Sequence, residues 1–163
     1  MLLYLIRHAR AGERDSAMYP DDSQRPLTDD GRKSFRKFLR WLSDARIEPQ
    51  VVLSSPYTRC QQTTEILMEH LAELKQTPKL KYYEELGSGA SSDDFYKVLG
   101  EHSSAERVAI CGHMPDLGYI AGELLGGPAI HFSKGAIAAI RCDSLRPGAG
   151  ELLWLVGPKL AGK

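Results

Sequence analysis

Three short apolar runs, far apart in the chain, each end on residues able to do chemistry. Leu2-Leu3-Tyr4-Leu5-Ile6 runs directly into Arg7-His8. Val51-Val52-Leu53 leads to Ser54-Ser55-Pro56, with Arg59 one helical turn later. Val108-Ala109-Ile110-Cys111 ends at Gly112-His113. Two arginines and two histidines therefore stand at three strand ends. That set suits phosphoryl transfer, which needs charge neutralisation and an in-line nucleophile. Guanidinium groups neutralise a phosphate without metal. A neutral imidazole, with a reference pKa near 6.5, keeps a lone pair for attack at neutral pH. Taken singly, each residue has a plainer reading: a polar strand end meeting solvent, or a histidine opening a helix. Arg59 differs, because a cation in the first turn of a helix opposes the helix dipole, so an anion is expected to compensate it.

The flanking sequence supplies elements to hold these residues. The continuous apolar runs read as strands buried on both faces. Residues 9–27 are polar, contain Gly12, Pro20 and Pro26, and read as a long loop. Thr28 is an N-cap for a helix with apolar face Phe35, Phe38, Leu39, Leu42, ending near Ala45. Ser55-Pro56 reads as N-cap and first residue of a second helix with face Cys60, Thr63, Leu67, Leu71, Leu74. A third strand falls around Leu80–Tyr83, and Ser92 caps a short helix carrying Phe95, Val98 and Leu99. A helix from about Pro115 shows Leu117, Ile120, Ala121, Leu124 and Leu125, and stops at Gly126-Gly127. Ala136–Cys142 and Leu152–Val156 form a final hairpin around Arg146-Pro147-Gly148. This β-α series predicts one α/β domain over 1–163. It is a three-layer α/β/α sandwich around a mostly parallel mixed sheet with an antiparallel component. In such sheets ligands bind beyond the carboxyl ends of the strands, where Arg7, His8, Arg59 and His113 lie. The helix starts after Ser55 and after His113 offer backbone N–H donors to an anion, that of Met114 among them.

Bulk properties narrow the class. The 163 residues carry 21 Lys+Arg and 21 Asp+Glu, for zero net charge, which argues against a generic nucleic-acid or acidic-membrane binder. The balance is uneven. Residues 1–60 hold 11 basic and 8 acidic residues, an excess of +3, and nine of the eleven are Arg. No run approaches the roughly 20 apolar residues of a membrane span, and the N-terminus lacks a signal-peptide pattern. Cys60, Cys111 and Cys142 have no CxxC spacing and read as reduced buried thiols of a cytoplasmic protein. No clustered zinc ligands appear, and neither metal nor cofactor is expected.

At the level of motifs the chain resembles the histidine phosphatase (phosphoglycerate-mutase-like) superfamily. Arg7-His8-Ala9 is similar to its R-H-G signature. Arg25-Pro26-Leu27-Thr28 with Gly31 resembles its R-P-L-T-x-x-G segment. Ser54-Ser55-Pro56-x-x-Arg59-x-x-Gln62-Thr63 resembles S-S-P-x-x-R-x-x-Q-T, and Cys111-Gly112-His113-x-Pro115 resembles the second-histidine motif. The short length and the Arg7-His8-Ala9-Arg10-Ala11 variant look most like the SixA-type phosphohistidine phosphatases. The resemblance implies that His8 is a transiently phosphorylated nucleophile. It also implies that Arg7 and Arg59 clamp the phosphoryl oxygens, and that His113 contacts the phosphoryl group.

Ala9 replaces the usual glycine, and the general acid is the open role. Larger relatives use a Glu after the third strand; Glu84 and Glu85 lie in that region, and Glu85-Leu86 fits the pattern better. The residues alone read Glu85 equally as a solvated strand-end carboxylate. Arg25 reads as a loop-fixing residue with a second, phosphate-binding reading. Arg10 and Arg14 read as solvated loop residues that can also line the groove. Only 53 residues separate Arg59 from His113, room for one strand and one short helix rather than a capping insertion, so the groove is expected to be open. An open groove and an activated P–N bond favour a phosphorylated protein, such as one bearing a phosphohistidine domain. The alternatives are a small phosphorylated metabolite, a sugar phosphate or nucleotide, and a silent phosphate-binding module.

Overall fold

A computed structural model describes residues 1–162. Six strands form one sheet: β1 (Leu2–Arg7), β2 (Val51–Ser54), β3 (Lys79–Tyr82), β4 (Arg107–Gly112), β5 (Ile137–Cys142) and β6 (Gly150–Val156). Their spatial order is β3-β2-β4-β1-β5-β6. β1, β2, β3 and β4 run parallel, whereas β5 pairs antiparallel with both β1 and β6. Four helices cover the sheet: α1 (Asp29–Trp41), α2 (Thr58–Glu73), α3 (Ser92–Gly100) and α4 (Asp116–Leu124).

The alternation of side chains along each strand divides the core in two. Tyr4, Ile6, Val52, Ala109 and Cys111 pack with Phe35, Phe38, Leu39, Leu67 and Leu71 of α1 and α2. Leu3, Leu5, Leu53, Val108 and Ile110 pack with Phe95, Val98, Leu117, Ile120 and Leu124 of α3 and α4. Both faces of the central strands are thus buried, which explains their unbroken apolar runs. The α/β/α layering and the mixed sheet agree with the sequence reading.

Register places the chemistry. Arg7 pairs with Gly112 and Ser54 with Cys111, so three strands end at one level. Backbone bonds extend the alignment by one residue: His8 N donates to Gly112 O (3.1 Å) and Ser55 N to Cys111 O (3.0 Å). The span between α2 and β4 holds β3, a 3-10 turn (Glu84–Leu86) and α3, as the short spacing implied.

Local details differ from expectation. α2 begins at Thr58 with Tyr57 as N-cap, because the Ser55 hydroxyl is engaged by Tyr57 N and by His113. Leu74 lies past the last buried turn of α2 and is exposed. Ser91, not Ser92, caps α3, in a reciprocal capping box with Asp94. α1 stops at Trp41, and the chain continues as a 3-10 turn to Ala45 before Arg46 turns left-handed.

The glycine of the R-P-L-T-x-x-G segment has a steric cause. A Cβ on Gly31 would sit 2.1 Å from the Arg10 carbonyl oxygen. Thr28 N donates to that same carbonyl (3.0 Å), so the start of α1 is seated directly on the loop that follows His8.

Candidate active site

A pocket of about 400 Å³ opens where β1, β2 and β4 end. Arg7, His8, Arg25, Arg59, His113 and Met114 all line it. Glu85 does not. Its carboxylate is instead held 2.8 Å from Lys97 Nζ of α3, which keeps it ionised below the ordinary Glu range. Standing next to the end of β3 in sequence does not aim Glu85 at the pocket, because the 3-10 turn directs its side chain towards α3.

The protonation pattern of His8 is set by its partner. His8 Nδ1 is 2.8 Å from the Ala9 carbonyl, which only accepts, so Nδ1 carries the hydrogen and Nε2 keeps the lone pair. Burial, reinforced by Arg59, Arg7 and Arg25 against the Ala9 bond, pushes the His8 pKa down to about 3. The ring is therefore neutral at physiological pH. Thr63 Oγ1 accepts from Ala9 N (3.0 Å) and donates to Arg59 O (2.6 Å), tying the residue after the histidine to the helix that carries the arginine. Gln62 Oε1 accepts from Leu27 N (2.8 Å). The Gln-Thr pair that closes the S-S-P motif thus fastens two other motif segments to α2.

His113 stands 5.5 Å from His8 between ring centroids. Its Nδ1 accepts from Arg59 Nη2 (3.2 Å), which leaves Nε2–H to donate to Ser55 Oγ (2.8 Å). Tyr57 meets its ring edge-on at 4.9 Å. Burial first, then Arg59 and His8, hold its pKa down at about 3. The two rings thus carry opposite tautomers, each fixed by one hydrogen bond.

Arg59 is only 3% exposed and is bound on several sides. Nη1 donates to Asp22 O (2.8 Å), Nη2 pairs with Asp22 Oδ2 (3.1 Å), and the guanidinium lies 5.0 Å from the Tyr57 ring centroid. Asp22 also takes Arg25 Nε at 2.9 Å and Arg14 Nε at 3.6 Å. Burial works against the Asp22 charge, but the bond to Arg25 and the fields of Arg59, Arg25 and Arg14 prevail and lower its pKa. Arg25 in addition donates to Gly12 O (2.7 Å), so it both fixes the long loop and lines the pocket. Arg7 donates to Phe132 O (2.6 Å). The Nε–H groups of Arg7 and Arg59 are buried without a partner among the described residues.

Asp22 was not singled out by the sequence. It lies in a loop without periodicity, and its one signal is the spacing of three residues to Arg25. Arg14, Glu13, Ser88 and Lys134 complete the pocket wall. Among the described residues there is no group of three or more His, Cys, Asp or Glu able to hold a metal ion.

A family model for the histidine phosphatase superfamily, branch 1, matches residues 3–86. The chain belongs to the histidine phosphatase superfamily. It is 30% identical over 160 residues to phosphohistidine phosphatase SixA of Escherichia coli strain K12, covering 97% of this chain and 94% of that protein. An uncharacterised protein of a Picosynechococcus strain is 32% identical over 167 residues, with 98% of each covered. Among solved structures, protein histidine phosphatase SixA complexed with tungstate superposes with a TM-score of 0.84 at 27% identity, covering 98% of this chain and 99% of that one. The α-ribazole phosphatase of Shigella flexneri shares the fold at a TM-score of 0.70 and 19% identity, with 97% of each chain covered. The chain is thus a SixA-like phosphatase of the superfamily, with the phosphoglycerate-mutase-like fold. No helix among the described residues is long and apolar enough to cross a membrane.

Proposed function

We propose that the protein is a metal-independent phosphatase that works through a phosphorylated His8 and removes phosphate from phosphohistidine on a protein. The observation that carries the reading is the tautomer of His8. Its Nδ1–H is held by the Ala9 carbonyl, so the nucleophilic lone pair belongs to Nε2. In the first step Nε2 forms a bond to phosphorus while the substrate's P–N bond breaks, and the departing imidazole nitrogen takes a proton from solvent water. Arg7 and Arg59 supply charge and their unpartnered Nε–H donors to the phosphoryl oxygens. A dianion in the pocket opposes the desolvation of His113, raises its pKa and lets it donate as well. In the second step water attacks the phosphoryl group, inorganic phosphate leaves, and His8 returns to the neutral ring.

The position of Glu85 supports an imidazole leaving group. An alkoxide needs a well-placed acid, and Glu85 is tied to Lys97 outside the pocket. The SixA relative carries the same name for its activity. Hydrolysis of a small phosphoester such as a sugar phosphate is the second reading, favoured by the pocket volume of about 400 Å³, within the range of metabolite sites. We read residues 1–163 as one domain and place it in the cytoplasm, consistent with three free, buried cysteines.

The test is a phosphatase assay on a phosphorylated histidine phosphotransfer domain beside a panel of phosphoesters. Wild type should form an acid-labile phosphoenzyme and release phosphate from the histidine domain. His8→Ala should do neither. Full activity in that variant removes the mechanism, and preferential turnover of phosphoesters assigns the second reading.

A further inference from the structure

A second cavity of about 530 Å³ adjoins the phosphate pocket, and Arg7 and Lys134 line both. Its other basic groups are Arg10, Lys159 and His131, against one acid, Asp30. Among the described residues, Arg10, Lys134 and Lys159 make no ion pair. The N-terminal Arg excess is thus used twice. Arg14, Arg25 and Arg59 surround Asp22 in the phosphate pocket, while Arg10 lines the neighbouring cavity and makes no ion pair among the described residues.

The floor of this cavity is apolar and closely packed. Phe35 is fully buried in α1, and a Cβ on Gly135 would meet Pro158 at 2.9 Å and Phe35 at 3.3 Å. The wall is coupled to the phosphate site. The loop that supplies His131, Ser133 and Lys134 also supplies the Phe132 carbonyl that holds Arg7 Nη1 at 2.6 Å. A cavity of unpaired cations over an apolar floor, one residue from the nucleophile, fits carboxylates borne by the chain that carries the phosphoryl group.

We propose that this cavity is a recognition subsite for an acidic protein segment flanking the phosphorylated residue, with Arg10 and Lys159 as its selecting charges. The proposal rests on the protein-phosphohistidine reading for its substrate. A carboxylate entering the subsite pairs with cations that are otherwise solvated, so it adds affinity and encounter rate at low ionic strength and loses both as salt screens the pairing.

The experiment compares two phosphohistidine peptides, one flanked by Glu residues and one by Gln residues, as substrates of wild type and of Arg10→Ala/Lys159→Ala. The expected result is a preference of about tenfold in kcat/KM for the acidic peptide with wild type at low salt. It should shrink at high salt and vanish in the double variant, with turnover of the neutral peptide unchanged. Absence of an acidic preference in wild type, or its survival in the double variant, overturns the subsite. The matched pair of phosphoserine peptides separates the two ideas. Turnover of phosphoserine peptides alone ends the phosphohistidine reading, and the acidic-against-neutral ratio on those peptides still decides the subsite.

Discussion

Asp22 Oδ2 lies 3.1 Å from Arg59 Nη2, and this carboxylate supplies the anion that the first turn of α2 calls for. Arg59 sits where a helix dipole opposes a cation, and it is almost wholly buried. A guanidinium so placed needs a counter-charge before substrate arrives. Asp22 provides one, drawn also to Arg25 and Arg14. On the proposed function, it therefore occupies part of the electrostatic position that a bound phosphoryl group would take over.

Replacing Asp22 by Asn should tighten the binding of inorganic oxyanions. The charge that competes with phosphate is removed while the side-chain shape is kept. Inhibition constants for tungstate or phosphate should fall roughly tenfold, equivalent to about 1.4 kcal/mol. The same variant should melt below wild type without ligand, because Arg59 is left buried and uncompensated, and should recover most of the loss when phosphate is added. Unchanged or weaker oxyanion binding would show that Asp22 only braces the loop.

Acid should destabilise the fold through the two histidines. An unfolded histidine titrates near 6.5, while His8 and His113 in the folded chain titrate at about 3. Between those values the unfolded state binds more protons, so stability is complete above about pH 6.5 and drains away towards pH 3. Melting temperature followed from pH 8 to pH 4 should fall steeply below pH 6.5. His113→Gln should flatten that dependence. An equal slope in this variant would mean that other groups govern the acid limb.

Gly31→Ala is expected to be among the most damaging methyl additions in the chain. The new Cβ would overlap the Arg10 carbonyl oxygen at 2.1 Å; the backbone fixes the Cβ and its partner is itself backbone, so neither side can rotate away. A loss of about 1–3 kcal/mol or more is the usual scale of such overpacking. Denaturant unfolding measures it. Gly100→Ala, where a Cβ meets nothing within 4 Å, serves as the neutral comparison.

Glu85→Gln should leave kcat/KM within about twofold of wild type. The carboxylate pairs with Lys97 at the surface, where solvent screens the interaction and its loss changes little. A drop of a hundredfold or more on any good substrate would restore Glu85 as the proton donor.

The positions of Arg7, His8, Arg59 and His113 were legible because parallel strands buried on both faces announce themselves as unbroken apolar runs. The residues at the carboxyl end of such a run lie at the ligand-binding edge of the sheet. The same logic failed for Glu85, since a 3-10 turn intervenes and redirects the side chain. Asp22 was hidden for a different reason. Its role is set by three arginines that approach from Arg14, Arg25 and Arg59, and no local pattern in residues 9–27 encodes that meeting. Ser55 was read as a helix cap from its neighbour Pro56. Its actual partner, His113, is 58 residues away and lay beyond any local rule.

The strand order carries a consequence for how the protein is made. β4 lies between β1 and β2, although it follows both of them in the chain. Until residues 107–112 emerge, the two strands that deliver His8 and Arg59 have no shared neighbour to bridge them. A nascent chain halted after α3 would hold Arg7, His8 and Arg59, yet no register between β1 and β2. The register that brings these residues together is thus complete only once β4, which follows both its neighbours in the chain, enters the middle of the sheet.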